Sequence, residues 1–298
     1  MSVDEYAALE LACGARLAKT GTRWWRRVRP CFYRPLFPFE EISPDCVQRP
    51  LASRFGGVQY LVPDGVAANS QMNFVLFEEP QSYSLGQLKR DDRHKRKIRK
   101  AEKIFSVRRI TSAEELSSKG HSAYLSFFNR TKYSYRADRV QYGRFAAWAE
   151  TLLSFPNALV LGAFDADELV AVAVSYLVEG VVFYSTYFSK TEAMSKNVTD
   201  LMLHKIREGA AALPSARFIF AARAGMERGI TAFYLMRGAR MVSRPALLVG
   251  NPLSMFLVRT CMRESYQKLV GGDDSSCENP GLEQKANSAS NVTSRAVF

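Results

Sequence analysis

The strongest constraint in this sequence is a succession of three β-rich runs separated by tight turns, beginning at residue 158. Residues 158–164 are apolar, and Asp165-Ala166-Asp167 follows as a turn. Residues 169–178 form a second run, closed by Glu179-Gly180, and residues 181–188 form a third. Short turns of Asp, Gly and Glu between such runs predict an antiparallel meander. A polar stretch at 189–196 leads into a helix whose start suits Asn197 and Asp200. Leu201, Met202, Ile206 and Ala210 line one side of that helix, and Pro214 marks its end. Residues 217–221 read as a strand, 229–237 as a helix and 241–249 as a last strand. The order is β-β-β-α-β-α-β.

The first half is less regular. Residues 3–19 carry Tyr6, Leu9, Leu11, Cys13 and Leu17 at helical spacing, which predicts an amphipathic helix. Residues 24–39 combine Trp24, Trp25 and several arginines with Pro30, Pro35 and Pro38. That proline density excludes a regular helix and reads as an extended arm. Such an arm either packs within the chain or lies on a membrane interface, where Trp and Arg suit the boundary. Strands are expected at 57–62 and 72–77. A basic helix follows at 85–104 and a short strand at 106–110. A further helix opens with the capping-box pattern Ser112-x-x-Glu115. Another helix spans 139–153 and ends before Pro156. After Leu269 the chain is poor in apolar residues, so 271–298 reads as a disordered tail.

The net charge of +12 is concentrated. Residues 89–109 hold eleven Lys or Arg against three Asp or Glu, and residues 23–34 add five arginines without an acid. Such blocks suit an anionic partner: a CoA phosphate, a nucleic acid or a lipid headgroup. The alternative is a solvated face. Five scattered cysteines suit free thiols in a reducing compartment. Three histidines without ligand spacing give no reason to expect a metal. No apolar run reaches the roughly 18 residues of a membrane span, and the first residues lack a signal-peptide layout. A cytoplasmic protein is expected, with peripheral contact at the inner membrane face through 24–39 as the further option.

The order of elements resembles the core of the GNAT acyltransferases. Ala232-Phe233-Tyr234-Leu235-Met236-Arg237-Gly238 is similar to that family's A-x-x-[FY]-Y-x-x-x-G-F segment, with Ala239 where an aromatic is usual. Lys95-Arg96-Lys97-Ile98-Arg99-Lys100-Ala101-Glu102-Lys103 resembles the basic helix R-x-x-I-R-K-A-E-K of the FemAB-like branch. Members of that branch transfer aminoacyl groups in peptidoglycan bridge synthesis. The resemblance implies an α+β fold: a mixed, mostly antiparallel sheet flanked by helices, after an N-terminal helical and extended arm. Residues 1–55 would be the arm, 56–156 the N-terminal part of the acyltransferase unit and 157–270 the GNAT-like core. The implied activity moves an acyl or aminoacyl group from a thioester or aminoacyl donor to an amine. The alternative is a non-catalytic module of the same shape that holds tRNA, another polyanion or a lipid-linked acceptor.

The resemblance also assigns residues. Tyr234 matches the family tyrosine that serves as the acid. The third and fourth core strands splay apart, which places Tyr184, Ser185 and Thr186 at the gap. Tyr184 is the second catalytic candidate, and Thr186 is a candidate for orienting the acceptor. Phe188, Lys196, Asn197, Val198 and Thr199 fall where the donor is held, with helix N-terminal amides facing a pyrophosphate. The family loop R/Q-x-x-G-x-G/A has no counterpart here, because Thr191 to Asn197 contains no glycine. Acyl-CoA as co-substrate therefore stays open. Arg99, Arg130 and Tyr133 are candidate substrate contacts. No clear general base stands out, since Glu179 lies in a turn and Glu192 is a weak candidate.

Overall fold

A computed structural model describes residues 1–86, 93–131, 136–223 and 228–262, together with residues 266 and 270. Helix α1 (Val3–Ala12) is opened by a capping box between Ser2 and Glu5. Gly14 takes φ 82° just beyond it, a left-handed conformation that stops the helix. The helical spacing up to residue 19 therefore overshoots, and the chain enters β1 (Leu17–Thr20) instead.

Strands β2 (Arg23–Arg29) and β3 (Phe32–Pro35) take up most of the expected arm. Pro30 lies in the turn between them and Pro35 ends β3, so neither breaks the ladder. Trp25 is fully buried, and Phe32, Tyr33, Leu36 and Phe37 are buried as well. These side chains pack against protein, whereas Trp24 is half-buried.

Strands β4 (Gly57–Leu61) and β5 (Ser70–Glu78) follow near their expected positions. The basic helix is α2 (Arg93–Glu102), and its expected start at 85–92 lies partly outside the described residues. Then come β6 (Ser106–Arg109), α3 (Ala113–Thr131) and α4 (Tyr142–Leu153). The Ser112 hydroxyl accepts the Glu115 N–H at 3.2 Å, as the capping pattern predicts. The meander is β7 (Ala158–Asp165), β8 (Glu168–Val178) and β9 (Val181–Ser189). Glu179 and Gly180 both have positive φ, 47° and 76°, as the primed two-residue hairpin turn requires. The remaining elements are α5 (Thr191–Ser195), α6 (Val198–Ala211), β10 (Phe218–Arg223), α7 (Arg228–Leu235), β11 (Arg240–Gly250) and α8 (Pro252–Cys261). Helix α8 had no sequence expectation. Asn251 starts it by accepting the N–H groups of Leu253 and Ser254 at 3.0 and 3.3 Å.

All strands join one sheet in the order β1-β2-β3-β4-β11-β5-β10-β9-β8-β7-β6. The β3/β4 and β9/β10 pairs are parallel and the others antiparallel. Residues 56–156 thus contribute β4, β5 and β6 to the same sheet as residues 157–270. The expected tail at 271–298 lies outside the described residues.

Helices cover both faces. On one, α1, α3 and α4 bury Leu9, Leu116, Phe145 and Leu152 against Leu169 and Phe188. On the other, α2, α6 and α7 pack over Val75, Phe77, Val182 and Ile219. Each such side chain contributes about 1.5–3 kcal/mol through removal from water. Ile98 and Ala101 form the buried stripe of α2, while Arg93, Arg96, Arg99, Lys100 and Lys103 stay exposed. Among the described residues, no helix is long and apolar enough to cross a membrane.

Candidate functional site

The central feature is a gap in the sheet between β9 and β10. These parallel strands pair at only three positions: Val181 with Phe218, Val182 with Ile219 and Phe183 with Phe220. Beyond Phe183 and Phe220 each strand follows its outer neighbour. A register shift lies on both sides of the divergence. On β9, Tyr184 opposes Ser175 and Thr186 opposes Val174, so Ser185 has no register partner. On β10, Phe220 opposes Leu76 and Ala222 opposes Val75, so Ala221 has none. Each bulge inserts one residue, bends its strand and raises the local twist. Two bulges facing one another prise the sheet open. Ser185 is consequently exposed although β9 lies in the interior of the sheet.

The bulges also decide which side chain faces which side. Tyr184 and Tyr187 pack with the α6/α7 side. Phe188 packs on the α1/α4 side. Ser185 lies beside the Tyr176 phenol, whose neighbours include Tyr6 and Glu10 of α1.

On the α6/α7 side the gap is bordered by aromatic rings. Tyr184 and Tyr234 meet edge-on with centroids 6.3 Å apart, and Phe77 holds Tyr234 from below at 6.2 Å. Burial raises the pKa of both Tyr184 and Tyr234 above the ordinary phenol value, and the neighbouring tyrosines act in the same direction. Both therefore remain protonated at neutral pH. Neither hydroxyl has a hydrogen-bond partner among the described residues. The Tyr187 hydroxyl lies 2.9 Å from Thr199 Oγ1 in the first turn of α6.

That first turn differs from the expected phosphate cradle. Asn197 has φ 66° and its side chain does not cap the helix. Asp200 is buried and is held by Arg237, with Nε at 2.9 Å and Nη2 at 2.8 Å from Oδ1. His94 Nδ1 of α2 lies 3.3 Å from the same oxygen. The favourable end of the α6 dipole is thus already met by a carboxylate of the chain itself. Arg237 in turn stacks on Phe233 at 3.5 Å and donates to its carbonyl at 2.7 Å.

The other candidates separate. Lys196 pairs with Asp165 at 2.9 Å, and Lys190 pairs with Glu168. These four residues and Glu192 line a surface cavity of about 350 Å³ between α5 and the β7–β8 turn. Val198 is fully buried core. Phe188 packs among Tyr124, Phe145 and Trp148 on the opposite face, which leaves it no access to a donor on the α6 side. Thr186 is half-buried beside the bulge. Arg130 latches the end of β9, donating to Ser189 O at 3.3 Å and Thr191 Oγ1 at 2.8 Å. Arg99 is exposed on α2. Tyr133 lies outside the described residues. The structure therefore brings Tyr184, Tyr234, Thr199 and Thr186 around the opening, and sets Phe188, Lys196, Arg99 and Arg130 to other tasks.

On the α1 side the gap meets a polar cluster that the sequence did not reveal. Glu10 of α1 is buried and pairs with Arg26 at 2.6 Å. Arg26 also donates to the Tyr6 hydroxyl at 3.3 Å. Tyr6 packs on Tyr176 and Phe183, with centroids at 5.8 and 5.3 Å. A buried carboxylate thus lies on the α1 side, among the neighbours of the Tyr176 phenol beside Ser185. Its signal was faint: Glu10 sits among the apolar positions of α1, where a solvated acid is out of place. Among the described residues, no group of three or more His, Cys, Asp or Glu could hold a metal.

A mostly antiparallel sheet flanked by helices and split between two parallel strands is the GNAT-like fold that the sequence resemblance implies. Solved structures agree over nearly the whole chain. FemX aligns with a TM-score of 0.56 and 10% identity, covering 86% of this chain and 92% of that one. The C-terminal DUF2156 domain of a putative lysylphosphatidylglycerol synthetase from Agrobacterium fabrum gives 0.53 and 8%, covering 91% and 93%. L-PGS from Bacillus licheniformis gives 0.50 and 9%, covering 90% and 96%. No family model matches the sequence, and no curated protein matches it either.

Proposed function

We propose that this chain is an aminoacyl or acyl transferase that works across the gap between β9 and β10, with the donor on the α6/α7 side and an amine acceptor on the α1 side. The observation that carries this reading is the opening itself. Unpartnered, protonated phenols line one face and a buried carboxylate lies under the other. Acyl transfer needs that polarity. Glu10 takes a proton from the attacking amine. The backbone at the Ser185 bulge, freed from its ladder, stabilises the oxyanion. Tyr234 gives its proton to the leaving group, with Tyr184 as its neighbour.

The donor we favour is an aminoacyl ester on a polyanion rather than acyl-CoA. The residues present do not fit a CoA pyrophosphate. Thr191 to Asn197 offers no glycine, Lys196 is paired, and Asp200 already occupies the anion-favouring end of α6. Beside this turn, α2 presents an exposed basic face and packs on α6. A face of that kind suits a phosphate backbone.

The test is a thermal-shift panel of acyl-CoAs and aminoacylated tRNA, followed by single-turnover transfer with the donor that binds. Stabilisation by charged tRNA is expected, falling steeply between low and physiological salt. The variant Tyr234→Phe should fold normally and lose about 10²-fold in transfer rate. Full turnover in Tyr234→Phe, or stabilisation by acyl-CoA alone, would refute the corresponding assignment.

A further inference from the structure

Among the described residues, the α1 side of the sheet holds more positive charge, on half-buried arginines, than it pairs. Arg26 and Arg34 are register partners on β2 and β3. Arg223 ends β10 at the lip of the gap, opposite Phe74 of β5. Arg26 has Glu10 as its counter-ion. Arg34 has only a neutral acceptor, giving Nε and Nη2 to Gln59 Oε1 at 3.0 and 2.6 Å. The Arg223 guanidinium lies 6.0 Å from the Phe74 ring centre, and its Nη1 is buried with no hydrogen-bond partner among the described residues. Among the described residues, neither Arg34 nor Arg223 has a carboxylate partner.

The surroundings make this arrangement costly. Phe74 packs with Phe39 and Phe220, and Phe183 packs with both of those. An unpaired guanidinium in such a place forfeits hydration without recovering it. Burial pulls the Arg34 pKa down to about 10. It pulls Arg223 well below its ordinary value, and the charges of Arg34 and Arg26 push in the same direction. Packing alone gives no reason to keep a guanidinium there, since a methionine would fill similar space. A ligand does. The guanidinium fork matches a carboxylate or phosphate with two parallel hydrogen bonds.

The position completes the argument. Arg223 lies on the strand wall opposite Ser185, and Arg26 links the cluster to Glu10. An anion seated on these arginines would lie beside the carboxylate proposed to activate the acceptor.

We propose that Arg34 and Arg223 form an anion subsite on the α1 side of the gap, which seats a phosphate or carboxylate group of the acceptor. The word acceptor rests on the transferase reading, whereas the subsite itself requires no turnover.

The experiment is a melting series on the full chain in sodium chloride, sodium phosphate and sodium acetate at matched ionic strength and pH. Wild type, Arg223→Met, Arg34→Met, Arg223→Lys and the exposed control Arg144→Gln are compared. Phosphate or acetate should raise the wild-type Tm by several degrees over chloride. The rise should vanish in Arg223→Met and Arg34→Met and persist in Arg144→Gln and, weakened, in Arg223→Lys. In chloride, Arg223→Met should melt at or above wild type, because an unmatched buried charge has been removed. A second arm asks where the anion comes from. Flotation with phosphatidylglycerol vesicles but not phosphatidylcholine vesicles, lost in Arg223→Met, identifies a lipid phosphate. A response confined to the dissolved anions identifies a soluble acceptor. Equal melting in all three salts overturns the subsite, as does an equal rise in Arg223→Met or its loss in Arg144→Gln. A fall in the chloride Tm of Arg223→Met makes the guanidinium structural and also overturns it. An intact anion response without transfer from any donor overturns the transferase reading alone.

Discussion

The two faces of the gap handle charge in opposite ways. On the α6/α7 face the buried charges are matched within the chain, because Arg237 holds Asp200. What that face offers a ligand is phenols and ring edges. On the α1 face, among the described residues, one buried carboxylate, Glu10, stands with three arginines. What that face offers is unmatched cation and a carboxylate. The contrast separates residues that keep the sheet in shape from residues that await something else. A buried pair holds structure, and a buried surplus invites a ligand.

The comparison breaks most sharply at Asp200. Asp200→Ala leaves Arg237 buried beside Phe233 without its counter-ion, and should cost about 3–5 kcal/mol of stability in denaturant unfolding. A loss under 1 kcal/mol would mean that the pair is not the closed element it looks. The reverse test falls on Glu10. Glu10→Gln keeps the shape and removes the proton acceptor, so transfer should slow about 10²-fold while donor binding is unchanged. Weaker donor binding in that variant would put donor and acceptor on the same side. The smallest effect concerns His204 of α6, buried and 2.9 Å from the Tyr83 hydroxyl. Burial lowers its pKa below the usual 6.5. The folded state then binds fewer protons than the unfolded one as pH falls through that value, so stability falls with it. Wild type should lose stability between about pH 7.5 and pH 5.5, and His204→Gln should flatten the slope. An equal slope in the variant would assign the acid sensitivity elsewhere.

Local patterns in the sequence carried most of the fold. The meander from residue 158 followed from alternation and from the Glu179-Gly180 turn, because both are decided within a few residues. Ser112 announced α3 for the same reason. The arm was legible as extended but not as paired, because Trp25 and its arginines carry no mark of pairing with β3, which is a matter of tertiary contact. Helix α8 escaped because its apolar residues, Leu253, Phe256 and Leu257, are exposed and do not report a core. At the site, Tyr234 and Tyr184 were legible through a motif and a strand position. Glu10 was not, since 174 residues of chain lie between it and Ser185 until the sheet closes. Asp200 read as a cap, and only the fold shows Arg237 drawing it away. The bulges were invisible, because an extra residue in a strand looks like any other.

Those two inserted residues also act as a frame marker for everything after them. Side chains on a strand alternate, so one residue fewer at Ser185 would exchange the sides of its successors. Tyr187 would leave Thr199 for the aromatic core, and Phe188 would leave Tyr124 and Trp148 for the mouth of the gap. The length of β9 is therefore as much a part of the site as any side chain on it. Substitutions along this strand can be absorbed one at a time, whereas a single-codon deletion would turn the site inside out.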